Sequence, residues 1–343
     1  SLQGRTMKSK SIFTLVIAIA LLASMYAGRY YMGFVDLSPE VVNSRYANDE
    51  SKFIQLDGLQ QGINLHYRDE GLSSVDNPDA PVLFLLHGIM ASLHTWDGWV
   101  EHLKNDFRII RVDIPGFGLT GPYSDGIYNI ERSVDMLDQL SDKLGIESFF
   151  LAGNSMGGYI SWNFTLAHPE KVDRLVLLDA AGYPFKPPMM LELLRTPVLK
   201  DGITFITPRF IVTKTLSEVY GDASKVSDET IDRYHQLMLR EGNRAAVVSV
   251  FASLAHDVSD KIKQLEVPTL IQWGEADKWI PLANAKKFAD DIKGSKTIIY
   301  PGIGHIPMEE IPEKSAADAK EFLLYLIEEP LDIKPLSVTP VIL

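Results

Sequence analysis

Apolar residues in this chain fall into short, nearly continuous runs. Runs of this kind are PVLFLLHG, FRIIRVDIPGFG, SFFLAGNS and KVDRLVLLDAAG, followed later by VPTLIQWGEAD and SKTIIYPGIGH. Strands with so few polar positions are buried on both faces, as they are in parallel sheets. Between the runs, IERSVDMLDQLSDKLG and YISWNFTLAHPE have the apolar spacing of helices. The alternation predicts an α/β fold, with a mostly parallel sheet covered by helices on both faces.

The alternation is interrupted once, between residues 183 and 263, where helical segments follow one another without a clear strand. Ordinary connections between strands and helices have about 2 to 6 residues, so we interpret 183–263 as an inserted helical cap. It begins just after a strand end, where ligands bind in open α/β sheets, and this position favours a lid over a pocket. A helical insertion that only improves solubility is the alternative.

The rest of the chain divides around this cap. The body of the domain comprises residues 53–182 and 264–328, and it begins with FIQLDGLQQGINLHYRDEG, which predicts two strands joined by a turn. Residues 36–52 are interpreted as a linker and residues 1–6 as a cloning-vector remnant. The sequence assigns no role to the tail at 329–343.

Residues 7–35 predict a membrane anchor. Residues 11–28 carry no charge, and as a helix rising about 1.5 Å per residue they nearly cross a hydrocarbon core of roughly 30 Å. Lys8 and Lys10 precede the run, so the positive-inside rule places the body on the extracytoplasmic side. One alternative is a signal peptide, whose cleavage would give a secreted or periplasmic protein, but the available cleavage motifs are poor. Another is a soluble apolar helix.

Charge and cysteine content narrow the possible partners. The net charge is −12 and no cluster of Lys and Arg is present, which argues against nucleic acid as a partner. The chain has no cysteine, so a disulfide framework, a thiolate nucleophile and a Cys-ligated metal are excluded. A small molecule is the expected substrate, and the oligomeric state is not predicted.

Residues 151–158 read LAGNSMGG, and they place Ser155 between a predicted strand and a predicted helix. Gly153 and Gly157 allow the strand and helix backbones to approach closely, so that Ser155 can occupy a strained turn with its hydroxyl exposed. A glycine-rich turn without chemistry is the alternative. The motif is short, so the rest of the chain must decide between them.

A serine hydroxyl needs a base before it becomes a good nucleophile. Of the eight histidines, His305 alone lies in a glycine-rich loop directly after the last predicted strand, in PGIGHIPMEE. The base needs a carboxylate that orients it, and Asp277 follows the penultimate strand in WGEADKWIP. Asp179, at the end of LVLLDA, is a rival for this role. The order Ser155, Asp277, His305 is the one expected of a nucleophile-elbow hydrolase.

The other polar residues receive less direct roles. His168 is expected to cap the helix that follows Ser155, and Asp113 is expected to organise its own turn in DIPGFG. The remaining histidines are interpreted as surface or packing residues. They are His66, His87, His94, His102, His235 and His256.

The oxyanion that forms during attack needs hydrogen-bond donors already in place. The backbone N–H of Met156, at the start of the helix after Ser155, is one candidate. The second is the N–H of Ile89 in HGIMAS, although HG can also be a simple strand exit.

These motifs together resemble the α/β-hydrolase superfamily over roughly residues 53–328. HGIMAS, DIPGFG, GNSMGG, GEADKWIP and GIGHIPMEE occur in the order found in that family. The resemblance implies an eight-stranded, mostly parallel sheet with a helical cap after the sixth strand. It is closest to the carboxylesterase and monoacylglycerol-lipase-like branch, which is often membrane-associated. GNSMGG is also similar to hydrolases that cut carbon–carbon bonds in ring-cleavage products.

The sequence therefore predicts a serine hydrolase that cleaves carboxylic esters with moderately apolar acyl groups and needs neither a metal ion nor a cofactor. Carbon–carbon bond hydrolysis of a diketone acid is the alternative within catalysis. It requires a cation for the substrate carboxylate, for which Arg195 and Arg209 in the cap are the candidates. A ligand-sensing protein with little turnover is the alternative outside catalysis.

Overall fold

The computed structural model describes residues 2–73, 77, 79–193, 195–254 and 257–324. The predicted tail at 329–343 and the last four residues of the predicted body therefore lie outside the described residues. The described part contains one eight-stranded sheet. Its strands are β1 (Ser51–Leu56), β2 (Ile63–Gly71), β3 (Val82–Leu86), β4 (Arg108–Val112), β5 (Phe149–Asn154), β6 (Val172–Leu178), β7 (Thr269–Gly274) and β8 (Lys296–Tyr300).

The strand order is β1-β2-β4-β3-β5-β6-β7-β8. β2 is antiparallel to both of its neighbours, and from β4 to β8 every pair is parallel. The predicted mostly parallel α/β sheet is confirmed. β5 and β7 are buried at every position, and β3, β4 and β6 are buried at all but one position near their start. Phe84, Leu151 and Ile271 in β3, β5 and β7 are fully buried. Burying each such side chain stabilises the fold by roughly 1.5–3 kcal/mol.

Helices pack against the sheet and against one another in three sets. α3 (Asp97–Leu103) packs against α13 (Pro312–Leu324), where Trp99 Nε1 donates to Ser315 Oγ at 2.9 Å. α4 (Ile130–Lys143) packs against α5 (Met156–Ala167), which also lies along β5 and β6. α11 (Ala283–Asp291) contacts β7 and β8, and the single turn α12 (Pro307–Glu310) precedes α13. All of these helices connect or follow strands, as the alternation predicts.

Between β6 and β7 the described residues contain helices and no strand. They are α6 (Met189–Leu193), α7 (Pro197–Phe205), α8 (Arg209–Val219), α9 (Asp228–Met238) and α10 (Asn243–Ser253). α8 packs against α9, and α10 contacts α7 and α9. We call residues 183–263 the cap, with the boundaries expected from the sequence.

The segment 36–52 is more structured than the expected linker. It contains α2 (Pro39–Tyr46), which has Ser38 as its N-cap, and Val42 in this helix is fully buried. Leu37 forms a backbone hydrogen bond to Leu239 in the cap, 2.7 Å long. A short helix of this kind escapes sequence analysis because Val42 is its single buried residue and it depends on tertiary packing.

At the N-terminus lies the long helix α1 (Leu2–Tyr31). Its residues Phe13–Tyr31 are apolar and long enough to cross a membrane, by length and composition alone. The side chains of Phe13, Leu22 and Met25 are each about two-thirds exposed. A signal anchor and a signal peptide both fit this helix.

Candidate active site

Ser155 lies on a sharp turn between β5 and α5. Its backbone has φ 55° and ψ −115°, a region in which a residue with a side chain costs about 1–3 kcal/mol. Ser155 N–H donates to Leu178 O at 3.0 Å, and Ala181 N–H donates to Ser155 O at 3.0 Å. Because both partners lie at the end of β6 or just after it, the sheet edge holds the turn in this strained conformation.

The glycines around Ser155 are required by close backbone contacts. A Cβ on Gly157 would lie 2.2 Å from Leu86 O, and one on Gly153 would lie 2.4 Å from Gly157 O. Gly158, which the sequence analysis did not single out, would place a Cβ 2.5 Å from the Cβ of Ala180. Only glycine fits at these three positions. These contacts leave Ser155 on a tight strand-to-helix turn, and its role as a nucleophile elbow stays a prediction.

His305 and Asp277 are in direct contact. His305 Nδ1 lies 2.7 Å from Asp277 Oδ2, and Asp277 Oδ1 accepts from the N–H groups of Trp279 and Ile280 at 2.6 and 3.0 Å. Trp279 stacks on the His305 ring, with centroids 5.7 Å apart. The carboxylate is thereby fixed by its own turn, and the imidazole is held between Asp277 and an indole.

Asp179 lies in the same cluster without a hydrogen bond to the histidine. It is fully buried, and its Oδ1 accepts from Gly274 N–H at 2.9 Å. Burial and the nearby charge of Asp277 hold the pKa of the Asp179 carboxyl well above its usual range. The two alternatives of the sequence analysis thus both reach the site, but the direct contact with His305 belongs to Asp277.

The same cluster has the spacing of a metal site. Donor atoms of Asp179, Asp277 and His305 lie within 4.8 Å of one another. Since Nδ1 of His305 and Oδ2 of Asp277 face each other at hydrogen-bond distance, one ligand atom of each is already used. We interpret the cluster as His305 hydrogen-bonded to Asp277, with Asp179 nearby and hydrogen-bonded to Gly274 N–H instead.

The two predicted oxyanion donors are the backbone N–H groups of Met156 and Ile89. Met156 is the first residue of α5, where backbone N–H groups have no partner within the helix. Ile89 lies between Gly88 and Met90, and Met90 has φ 61°. Ile89 and Ser155 line the same cavity. Met156 is thus adjacent to Ser155 and Ile89 lies on the cavity that contains Ser155, and their role as oxyanion donors stays a prediction.

Asn154 and Glu310 are residues that sequence reasoning missed. Asn154 Nδ2 donates to Leu178 O at 3.1 Å and to His305 O at 3.0 Å, which joins the serine turn to the histidine loop. Glu310 accepts from the N–H groups of Gly221, Asp222 and Gly304 at 2.8–2.9 Å. Both residues lie inside the motifs GNSMGG and GIGHIPMEE, but apart from Gly304 their partners are at least 24 residues away in sequence.

Most other histidines have structural partners. His66 Nδ1 lies 2.7 Å from Asp113 Oδ2. Asp113 also accepts from Leu93 N–H and Leu119 N–H at 2.7 and 2.8 Å. These bonds agree with the expected role of Asp113 in organising a turn. His87 Nε2 accepts from Ile114 N–H at 3.0 Å. His168 is the residue at the C-terminal end of α5. His256 lies outside the described residues.

Two cavities meet at Ser155. The first, which we call the cap cavity, has a volume of about 830 Å³ including open space at its mouth. Its lining includes His305 and several apolar side chains from the cap, and none of the described lining residues is Asp, Glu, Lys or Arg. The apolar cap residues in the lining are Ile203, Ile211, Val212, Leu216, Val219, Met238 and Val247, and the cap also contributes Thr207, Thr215 and Tyr234.

The second, which we call the side cavity, has a volume of about 1100 Å³ including open space. It shares Ile89, Ser155 and Trp279 with the first, and it contains Arg195 and Asp257. Arg195 is one of the two cations expected for a substrate carboxylate. The other, Arg209, is bound by Asp232 and Asp228 at 2.6 and 2.9 Å and lines neither cavity.

Comparison with known proteins adds an independent finding. The family model described as the alpha/beta hydrolase fold matches residues 81–312. The chain is 29% identical to the 2-hydroxymuconate semialdehyde hydrolase of Pseudomonas sp. (strain CF600), covering 70% of this chain and 86% of that one. It is 28% identical to the bifunctional esterase/perhydrolase of Acinetobacter calcoaceticus, covering 72% and 91%.

Among solved structures, a bacterial membrane phospholipase A superposes with a TM-score of 0.69 at 23% identity. That match covers 92% of this chain and 99% of the other. At this identity the likeness concerns the fold.

Proposed function

Because the chain belongs to the alpha/beta hydrolase fold family and its relatives are hydrolases, we propose that it hydrolyses carboxylic esters with moderately apolar acyl groups. The observation that carries the proposal is the cap cavity. It leads to Ser155 through apolar side chains and has no fixed charge among its described lining residues. Such a surface fits an acyl chain, because burying each methylene of the chain gains about 0.8 kcal/mol.

In the proposed reaction, Ser155 Oγ attacks the ester carbonyl and His305 takes the serine proton. The proton goes to Nε2, since Nδ1 faces Asp277 at 2.7 Å. Asp277 orients the imidazole and stabilises its positive charge. The N–H groups of Met156 and Ile89 stabilise the oxyanion. His305 then protonates the leaving alcohol, and water releases the acid from the acyl-enzyme by the same route.

Carbon–carbon bond hydrolysis is the second candidate. It is favoured by one observation, the presence of Arg195 in the side cavity, together with relatives named as hydrolases of that kind. Arg195 is half-exposed and lies 3.5 Å from Glu192, and Asp257 lines the same cavity. These acids offset the charge that a substrate carboxylate would need, so the ester reading has better support.

We extend the proposal to the organisation of the chain. The cap at 183–263 acts as a lid over the body at 53–182 and 264–328. Helix α1 anchors the protein in a membrane with the body on the extracytoplasmic side. Cleavage of a signal peptide, giving a secreted or periplasmic protein, is the alternative.

A substrate panel with two cavity variants tests the proposal. The panel contains p-nitrophenyl esters from acetate to palmitate and one ring-cleavage diketone acid. Leu216→Trp fills the cap cavity and should lower kcat/KM for long esters at least about tenfold, with acetate little changed. Arg195→Ala should leave every ester unaffected. Turnover of the diketone acid alone, lost in Arg195→Ala, would establish the second candidate instead.

A further inference from the structure

Five exposed apolar side chains belong to the two segments that meet where α1 joins the cap, residues 31–34 and 205–210. Their exposed fractions are 48% for Tyr31, 48% for Phe34, 70% for Phe205, 40% for Ile206 and 52% for Phe210. We call this set the apolar corner. Single exposed apolar residues are normal on protein surfaces, whereas exposed apolar residues on neighbouring segments are typical of interaction surfaces.

Direct contacts place the end of α1 beside the corner between α7 and α8. A Cβ on Gly33 would lie 2.2 Å from Thr207 O, so the two backbones touch. Tyr30 and His235 form an edge-to-face ring pair with centroids 6.0 Å apart, and His235 Nε2 is 2.8 Å from Thr207 O. Phe205 and Ile206 immediately precede Thr207. They therefore lie next to the point where α1 leaves the body.

This junction is also fixed by charge. Arg244 donates to Gly33 O at 2.7 Å and to Asp36 Oδ1 at 2.6 Å. Arg244 is buried, and hydrogen bonds from an ionised group are among the stronger ones in proteins. The cap and the end of α1 are thus held together. A membrane that contains Phe13–Tyr31 would end close to the apolar corner.

The cap cavity lies behind the same corner. Ile203, Thr207 and Ile211 line the cavity, and they alternate along the chain with the exposed residues Phe205, Ile206 and Phe210. One helix corner therefore separates the cavity that ends at Ser155 from the exposed apolar surface.

We propose that the apolar corner enters the membrane interface beside α1, and that the acyl chain of a membrane lipid ester passes by this corner into the cap cavity. The proposal rests on the ester hydrolysis proposed above and names its substrate class. Tyr and Trp side chains at the level of the lipid headgroups are typical of membrane proteins, and Tyr31 is a residue of this kind. Transfer of exposed apolar side chains from water into the bilayer is favourable, because it removes their apolar surface from water.

The absence of cysteine from the chain allows a direct test with single labels. Full-length Phe205→Cys, labelled with a polarity-sensitive fluorophore, is reconstituted into phosphatidylcholine vesicles with and without brominated acyl chains. We expect brominated lipid to quench the label. Ser148→Cys is the control, because Ser148 precedes β5 at the opposite edge of the sheet and is exposed; its label should not be quenched. Equal quenching at both positions, or none at either, would overturn the proposal.

Activity provides a second measurement. Phe205→Glu/Phe210→Glu places two charges on side chains outside the lining of the cap cavity. Hydrolysis of a soluble butyrate ester should stay within about twofold, while hydrolysis of a monoacylglycerol embedded in the vesicles should fall at least about tenfold. Leu59→Glu, which changes an exposed apolar residue of the body, should change neither rate. An unchanged vesicle rate in the double variant would contradict the proposal.

The two proposals fail in different ways. If wild-type protein hydrolyses no ester while the label at position 205 is quenched, the ester hydrolysis is wrong and the membrane contact stands. If the label instead responds to protein concentration in solution and not to brominated lipid, a second copy of the chain covers the corner and the membrane contact is wrong.

Discussion

The carboxyl edge of the sheet and the cap form two walls of the same cavity, but different interactions hold them. At the sheet edge, backbone contacts and buried hydrogen bonds fix the groups: Gly157 lies against Leu86 O, and Asn154 joins the serine turn to His305. In the cap, ion pairs with exposed partners are prominent, such as those of Arg209 with Asp228 and Asp232.

This difference predicts different responses to substitution. A group placed by the backbone and by buried contacts has few alternative positions, because interiors are densely packed. Ion pairs with exposed partners contribute about 0–1 kcal/mol each to the free energy of unfolding. Side chains of the cap can therefore change position at little cost, whereas those at the carboxyl edge of the sheet cannot. Chemistry should therefore depend on the edge, and choice of substrate on the cap.

Ser155→Ala tests this comparison with the largest expected effect. Loss of the nucleophile should lower kcat for a short ester on the order of 10⁵- to 10⁶-fold, with folding intact. The matched variant in the cap is Ser217→Ala, whose hydroxyl donates to Thr213 O at 2.9 Å; it should keep kcat within about twofold.

Steady-state kinetics and a thermal melt of both variants give the answer. Near wild-type turnover in Ser155→Ala would refute the serine mechanism. A large loss in Ser217→Ala with an unchanged melt would show that the cap takes part in the chemistry.

A second comparison separates the two acids behind His305. Asp277→Asn should lower kcat on the order of 10⁴-fold, because an amide favours the wrong histidine tautomer. Asp179→Asn should cost far less, since Asp179 bonds to Gly274 N–H and not to the imidazole. The measurement is kcat for one ester across both variants, and the reverse ranking would move the acid role to the end of β6.

These two regions also differed in how well the sequence predicted them. The eight strands and the order Ser155, Asp277, His305 were predictable, because buried parallel strands are continuous apolar runs and the motifs are local. That order brings the three residues to one edge, although their catalytic roles stay predictions. The contacts of Asn154 with His305 O and of Glu310 with Gly221 join residues far apart in the chain, and no local pattern indicates them.

The cap and the N-terminal junction were predicted only in outline. The helical character of 183–263 was predictable because the segment contains no strand-like apolar run. The close approach of the Gly33 backbone to Thr207 O depends on tertiary packing and was not predictable. The expected linker at 36–52 contains α2 for the same reason, since Val42 is buried only once the domain has folded.

Stability should depend on pH through Asp179. Its pKa is raised in the folded state, whereas an unfolded Asp has a pKa of about 3.9. Its contribution to stability is therefore fully present below about pH 3.9 and is lost as the pH rises toward the folded pKa, by up to about 1.4 kcal/mol per pH unit. Asp179→Asn removes this dependence. The free energy of unfolding of the variant should therefore rise relative to wild type as the pH rises above about 5, past the unfolded pKa.

Urea unfolding at several pH values measures this trend. Asp125→Asn is the opposite-sign control, because Arg132 lowers the pKa of Asp125 to about 2. Its contribution is present above the unfolded pKa and lost only in acid, so its difference from wild type should stay flat over the same range. A flat difference for Asp179→Asn would mean that its carboxyl ionises normally in the folded protein.

The smallest effect is expected from removing the first 34 residues. The exposed side chains described for α1 contribute little to the core, and a chain beginning at Val35 keeps the Arg244–Asp36 contact while losing the one to Gly33 O. We expect that chain to be soluble and folded, with kcat/KM for a short ester within about twofold of the full chain. The full chain should instead fractionate with membranes and resist extraction by high salt.

A chain beginning at Glu50 is the matched control. It also loses buried Leu37 and Val42, each worth roughly 1.5–3 kcal/mol, and should unfold at lower temperature. If the chain from Val35 unfolds or loses its activity as well, α1 is part of the hydrolase body and not an anchor beside it.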